Sequence, residues 1–440
     1  VSFFLLIFVV EDIMIKYKCH IVVLMRTERR ILYMSKIVKF NDFFKRNFCL
    51  DDYSSVKNIE LISPFFPKGI RGKNSFKKII IAGCDNDVAD DKSIIVGEDI
   101  YASIRKGNLK IWSPYQIEFD DETIGMFYQM MRIKEVIMND AIVFNLTSFV
   151  DTFANSKRLK YVEMHADCTK ANSFQRMFFN DNALENVILD FKNTGNVRDM
   201  SLMFKGCISL KHIGDIETWD ASHVTKTDEM FNECTSLKSI PIQDWKTSSL
   251  RSMRYMFSSC YRLEENPTEK WDTSSLVDAS GVFELCTSLT SINLSGWNTE
   301  RLETAADMFD SCSFLRYVNL DNWDGFNIIN MDFMFRHCTQ LEDVSMKNWQ
   351  NKASVERAEG AFMSCENLTV LDLSNVSLEK CKNMANMFTY CKNLLWIENE
   401  WNIYPGIELS VSMFYDCVSL VLPDTSSWPC HNMFDASFYI

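Results

Sequence analysis

The sequence lacks the patterns that announce enzyme chemistry. No HExxH, GxSxG or GxxxxGK[ST] occurs, and the six histidines are scattered. That removes the zinc-peptidase, serine-hydrolase and phosphate-loop readings. CxxC is absent too, although the chain carries 15 cysteines, so a thiolate metal site is not expected. Carboxylates are plentiful, but most such groups are solvated faces, and no catalytic pair can be picked out. The expectation is a protein that is not an enzyme and has no metal or cofactor.

Long apolar runs are missing as well. VSFFLLIFVV at residues 1–10 falls short of the roughly 20 residues a spanning helix needs. No basic stretch precedes it, and Glu11 and Asp12 follow at once. Residues 1–34 therefore read either as a poorly formed signal segment or as sequence upstream of a start at Met14, Met25 or Met34. No lipobox and no wall-sorting motif is found. Positive charge is short: the net charge is −13. Residues 1–120 hold 19 Lys/Arg against 15 Asp/Glu, whereas the rest holds 27 against 44. An acidic array of that kind disfavours nucleic acid and anionic membrane as partners.

What the chain has in abundance is one phrase. MFSSCYRL begins at Met256, and close copies begin at Met203, Met230, Met308, Met334, Met387 and Met413. The Phe of the phrase falls at 127, 153, 178, 204, 231, 257, 283, 309, 335, 362, 388 and 414, in steps of 25 to 27 residues. Met433-Phe434 is a shortened last copy. Two other features keep the same phase. One is a Trp with a polar turn, as in WDTS at Trp271, with Val376 once in its place. The other is LxxLxL just after the cysteine, as in LRYVNL from Leu315 to Leu320. A period of this length is the mark of a solenoid, because one short unit cannot bury its own apolar face and stacked neighbours can.

Within a unit, Leu250, Met253, Met256, Phe257 and Cys260 fit one face of a short helix. Thr247 to Ser249 then supply N-cap oxygens. The LxxLxL segment reads as a strand with one buried face. Parallel strands stack at about 4.8 Å and helices need about 10 Å. The predicted class is therefore α/β: a leucine-rich-repeat solenoid bent into an arc or horseshoe, with a parallel sheet on the concave face and short helices on the convex face. It occupies residues 121–440, about twelve units. Residues 35–120 read as an N-terminal cap or small domain. There KKIIIAG (Lys77 to Gly83) is a predicted strand, Lys36 to Phe48 a short amphipathic helix, and NLKIW (Asn108 to Trp112) a worn repeat strand. The basic run Pro67 to Lys78 and the acidic run Asp85 to Asp91 read as solvated loops. The acidic run lacks the glycine and terminal Glu of a calcium loop.

The phrase MFxxCxxL with WDTS resembles the BspA-like group of leucine-rich repeats over roughly residues 120 to 434. That resemblance implies a surface or secreted protein that binds other macromolecules. The alternative reading is an intracellular scaffold on the same solenoid.

Nine cysteines, from Cys207 to Cys417, form one series inside the repeat. They read as a column of small buried thiols. Disulfides between adjacent rungs would leave one unpaired. In LxxLxL the second and fourth residues after the first Leu point away from the core. This gives the candidate partner-binding residues Tyr161, Glu163, His212, Asn293, Tyr317, Asn319, Asp343, Asp372, Trp396 and Glu398. Tyr161, Tyr317 and Trp396 lead, since exposed aromatics are frequent binding hot spots. The abundance of acids predicts a protein ligand with basic features.

Overall fold

The computed structural model describes residues 133–399 apart from 325 and 350–352, then 410–421, and separate strands and turns between 37 and 130. The apolar segment at residues 1–10, the acidic run, most of the basic run, Trp401, Trp428 and Met433-Phe434 lie outside the described residues.

The repeat builds a parallel-strand β-solenoid. Leu of LxxLxL turns inward and the residues between turn outward, so each strand alternates buried and exposed positions. Strands stack in register one coil apart. Glu135 pairs with Tyr161, Tyr161 with Asn186, and Asn186 with His212. Further along, Ser291 pairs with Tyr317 and Tyr317 with Asp343, while Val370 pairs with Trp396. A second ladder of single bridges runs from Ser148 through Ser173, Asp199, Lys226 and onward to Asn383.

Among the described residues the convex helices are not there. Across the Met-Phe phrase, alternate amides do different things. Met256, Ser258 and Cys260 N–H donate back three residues, to Met253, Tyr255 and Phe257, at 3.0–3.2 Å. Tyr255, Phe257 and Ser259 N–H donate onward to the next coil, to Ser280, Val282 and Glu284, at 2.8–3.0 Å. Tyr255 and Ser259 have left-handed φ of 52° and 60°, and the equivalent pair recurs at Glu229 and Glu233, Asp307 and Ser311, and Phe333 and His337. Two such residues per coil stop any helical run. Their strain, about 1 kcal/mol each, is offset by inter-coil hydrogen bonds of about the same size.

This removes the spacing mismatch behind the predicted horseshoe. Both faces of the coil are hydrogen-bonded to the next coil. The phenylalanine column repeats at 5.1–5.9 Å between ring centroids, from Phe127 to Phe414. That is close to strand spacing and far from the 10 Å of packed helices.

Three columns fill the core. The Phe rings stack nearly parallel. The Trp indoles stack beside them at 5.9–6.3 Å, and Trp323 Nε1 donates to Leu294 O of the preceding coil at 2.9 Å. The nine cysteines of the repeat series are free thiols, buried from Cys207 to Cys391 and half-buried at Cys417. Each donates its S–H to the Phe carbonyl of the coil before, as Cys286 does to Phe257 O at 3.2 Å and Cys312 to Phe283 O at 3.0 Å.

Among the described residues the strand ladder is interrupted twice, between His212–Gly214 and Ser291–Asn293 and between Asp343–Ser345 and Val370–Asp372. Between His212–Gly214 and Ser291–Asn293, two coils carry Pro241 and Pro267 where neighbours carry Gly214 and Asn293. Proline has no N–H to give and crowds the adjacent strand. Asn266 spans part of the gap, donating from Nδ2 to Asn293 O at 3.0 Å.

Upstream, Lys78–Ala82 is the predicted strand and pairs in parallel with Glu135–Met138. Asn108–Trp112 is also a strand, parallel to Lys78–Ala82 on one side and antiparallel to Ile100–Arg105 on the other. Ile37–Lys39 is a strand as well, parallel to Gln116–Asp120, and not the start of an amphipathic helix. Its amides enter a sheet, a long-range pairing that local helical spacing does not reveal. The rest of Lys36 to Phe48 lies outside the described residues.

Candidate partner-binding face

Period-two alternation places the predicted residues on one exposed face of the strand ladder, and the interruption at Pro241 and Pro267 divides them. Tyr161, Glu163 and His212 lie before it. Asn293, Tyr317, Asn319, Asp343, Asp372, Trp396 and Glu398 lie after it. The two groups differ in chemistry.

The first group is internally paired. Tyr161 Oη donates to Glu163 Oε2 at 2.8 Å. Burial, then that hydrogen bond to a carboxylate, pushes the Tyr161 hydroxyl up to about 12. His165 stands between two acids, with Nδ1 at 3.2 Å from Asp190 Oδ2 and Nε2 at 3.6 Å from Glu163 Oε1. Asp190 is also bonded by Lys192, which, ahead of His165, holds its carboxyl below the usual range. At the rim, Glu185 receives Lys160 at 2.6 Å and Lys211 at 3.4 Å. His212 is exposed. Sequence reasoning missed His165 and Asp190 because it stopped at the fourth residue of LxxLxL. These two strands run for seven residues, and continuing the alternation by one more step finds both.

The second group is open, apolar and acidic. Tyr317, Val370 and Trp396 are 47%, 52% and 48% exposed. Val370 and Trp396 are register partners, and so are Asp372 and Glu398 beside them. Trp396 Nε1 donates to Glu398 Oε2 at 3.0 Å, which ties the indole edge to the next outward position of the same strand. Tyr317 Oη donates to Glu342 Oε2 at 2.5 Å, and Arg316 Nε donates to Glu342 Oε1 at 2.9 Å. The Tyr317 and Arg316 contacts hold the Glu342 carboxyl below the usual range. Arg316 also lies 5.6 Å from the Tyr317 ring centre. Glu342 and Arg316 escaped the sequence reading because they occupy the residue before the outward strand positions. Asn293 and Asn319 sit opposite each other in the register, with Asn319 Oδ1 accepting from Asp321 N at 2.9 Å. Among the described residues no group of His, Cys, Asp and Glu is placed to hold a metal, and no helix is long and apolar enough to cross a membrane.

A family described as "Mycoplasma protein of unknown function, DUF285" matches residues 147–268, 237–317 and 313–428. These matches run unbroken over more than half of the sequence. The chain belongs to the DUF285 family. The matched span holds both the Cys column and the open strand face of this chain. A comparison with curated proteins finds no match. Among solved structures, a leucine-rich cell surface protein from Faecalibacterium prausnitzii A2-165 is 15% identical, with 78% of this chain and 86% of that one covered and a TM-score of 0.33. A leucine-rich repeat protein from Eubacterium ventriosum ATCC 27560 is 13% identical, with 76% and 96% covered and a TM-score of 0.31. A leucine-rich repeat protein of T. pallidum is 18% identical, with 53% and 77% covered and a TM-score of 0.25.

Proposed function

We propose that the protein is a non-enzymatic binding protein of the BspA-like type, displayed at the cell surface or secreted, and that it grips a protein partner on the strand face between Ser291 and Glu398. The observation that carries this reading is the open face itself. Tyr317, Val370 and Trp396 are half-exposed there among Asp343, Asp372 and Glu398. No Lys or Arg occupies an outward strand position between Ser291 and Glu398. Flat aromatics beside carboxylates suit a partner segment with Lys or Arg, whose cation can lie on a ring and meet an acid at its edge. Polyanions meet like charge there, so RNA or DNA capture is the outcome that counts against the proposal.

The test is affinity capture from the organism's medium and membrane fractions by the full chain and by a Tyr317→Ala, Trp396→Ala double variant. A hot-spot pair predicts at least about a 30-fold loss in affinity for the captured protein. Unchanged capture by the variant sinks the strand face as the site.

Surface placement rests on the repeat phrase. An intracellular scaffold is the second reading, favoured by eleven free cysteines among the described residues, which match a reducing compartment. Protease shaving of intact cells separates them, since only a surface protein is cut. For residues 35–120 we propose a cap, supported by the backbone pairing of Lys78–Ala82 onto the first repeat strand and by the antiparallel strands that follow it.

A further inference from the structure

The cysteine column does not begin with cysteine. Met130, Ser156 and Asp181 occupy its first described rungs, and Cys207 follows. The rungs next to Asp181, Ser156 before it and Cys207 after it, each give a hydrogen to the Phe carbonyl of the coil before. Ser156 Oγ donates to Phe127 O at 3.0 Å, and Cys207 Sγ donates to Phe178 O at 3.1 Å. In the same register Phe153 O is the carbonyl that the rung at Asp181 would serve. A carboxylate has no hydrogen to offer there.

The surroundings of Asp181 do not suit a charge. The side chain has no exposure. Its Oδ1 accepts from Ser156 N at 2.5 Å, and its Oδ2 has no hydrogen-bond partner. The coil before faces it with Ser156, which does not titrate in water's range. The coil after faces it with Cys207, a thiol that burial keeps protonated. Among the described residues no Lys, Arg or His bonds to it. An unpaired carboxylate in such a place is costly, and a neutral acid is not. Burial pushes its carboxyl well above the ordinary range, against the single backbone hydrogen bond that favours the charge.

We propose that Asp181 is a neutral acid rung of the column, and that its ionisation is a built-in switch that loosens the N-terminal coils of the solenoid as pH rises. The step is the loss of one proton from the carboxyl to solvent, with no other bond changed. The sign follows from linkage. The native state holds this proton more tightly than the unfolded chain does. Stability is therefore fully present below the ordinary carboxylate pKa and falls as pH rises toward the raised native value. One proton corresponds to about a tenfold drop in the folding constant per pH unit inside that window.

The experiment compares the full chain with Asp181→Asn and Asp181→Cys. Asn keeps the shape and supplies an N–H, and Cys restores the thiol of the later rungs. Urea unfolding is followed from pH 5 to pH 9, with amide exchange read around Ser156, Asp181 and Leu184. Infrared spectra at neutral pH are searched for the C=O band of a protonated carboxylic acid that vanishes in the variants. The expected result is that this band is present in the parent, and that the parent loses stability with pH about tenfold per unit relative to both variants. Faster exchange at the named amides should accompany it. Matching pH profiles for parent and variants, or no such band, would overturn the proposal. If Asp181→Asn does not fold, Asp181→Cys alone decides the profile.

Discussion

The Tyr255 ring lies across Gly281, and its hydroxyl reaches Asp307 Oδ2 at 3.4 Å, 52 residues away and two coils further on. A Cβ on Gly281 would sit 2.1 Å from Tyr255 Cδ1, at a φ of +61°. Phe333 and Gly360 repeat the relationship, with a Cβ at 2.7 Å from Phe333 Cδ1. Gly281→Ala is expected to destabilise the solenoid by about 1–3 kcal/mol through overlap and backbone strain. Adding Tyr255→Ala should return part of that loss, because the overlap is gone. Urea unfolding of the two single variants and the double variant checks it. Strictly additive losses would show that the ring and the glycine are not coupled.

Asp307 titrates near physiological acidity. Burial first, then the nearby Asp310 carboxylate, push its carboxyl from the ordinary 3.8 up to about 6, against the Arg336 guanidinium. The native state binds this proton more tightly than the unfolded chain. Its contribution is complete below pH 3.8 and is lost as pH climbs through about 6. The group is partly open to water, so screening keeps the effect modest. Asp307→Asn should flatten the stability profile between these two pH values. A parent and variant with the same slope there would contradict it.

The thiol column should be silent to reagents while folded. Reaction needs the thiolate, and burial raises the Cys260 thiol to about 12 and several neighbours further. A water-soluble maleimide should leave Cys207 to Cys391 unlabelled in the native protein. In urea without reductant, all of them should label at once. Mass spectrometry counts the adducts. Intact disulfides between rungs would lower the urea count, and would mean that paired S–H donors to the Phe carbonyls had been given up.

One missing indole is replaced by its neighbour. Where other coils have Trp, this coil has Val376, and Asn375 Nδ2 donates to Met346 O at 3.3 Å in the indole's place. Trp349 gives the same bond to Leu320 O one coil earlier, at 2.7 Å. Asn375→Ala should cost about 1–2 kcal/mol by leaving that carbonyl short of a donor. Val376→Trp in the same chain should recover much of it. Thermal unfolding of the three variants tests the exchange, and no change on Asn375→Ala would show that the bond does not matter.

The strand ladder should also close between His212–Gly214 and Ser291–Asn293 if the prolines there are removed. Pro241→Asn together with Pro267→Asn restores two N–H groups where neighbouring coils have strands. Slower amide exchange at residues 238–242 and 264–268 is the expected outcome. Unchanged exchange would mean that something other than proline holds those coils out of the sheet.

The sequence by itself determined the period, and with it the columns. Residues one period apart must stack, so Phe283 on Phe309 and Cys286 near Cys312 were legible without coordinates. Alternation within LxxLxL likewise placed Tyr317 and Trp396 on an outward face. The tertiary structure decided where each amide sends its hydrogen. Met253, Met256 and Phe257 are spaced as on a helix, yet the same spacing serves turns closed over three residues. Phe257 N–H goes to Val282 O of the next coil at 3.0 Å, and nothing within Phe257's own unit reveals that. The partners of the face residues were hidden for the same reason. Glu342 meets Tyr317 and Arg316 only because coils stack a full period apart. A local pattern fixes which side of the chain is apolar, and the stacked neighbour fixes whether the backbone bonds to itself or to the next coil.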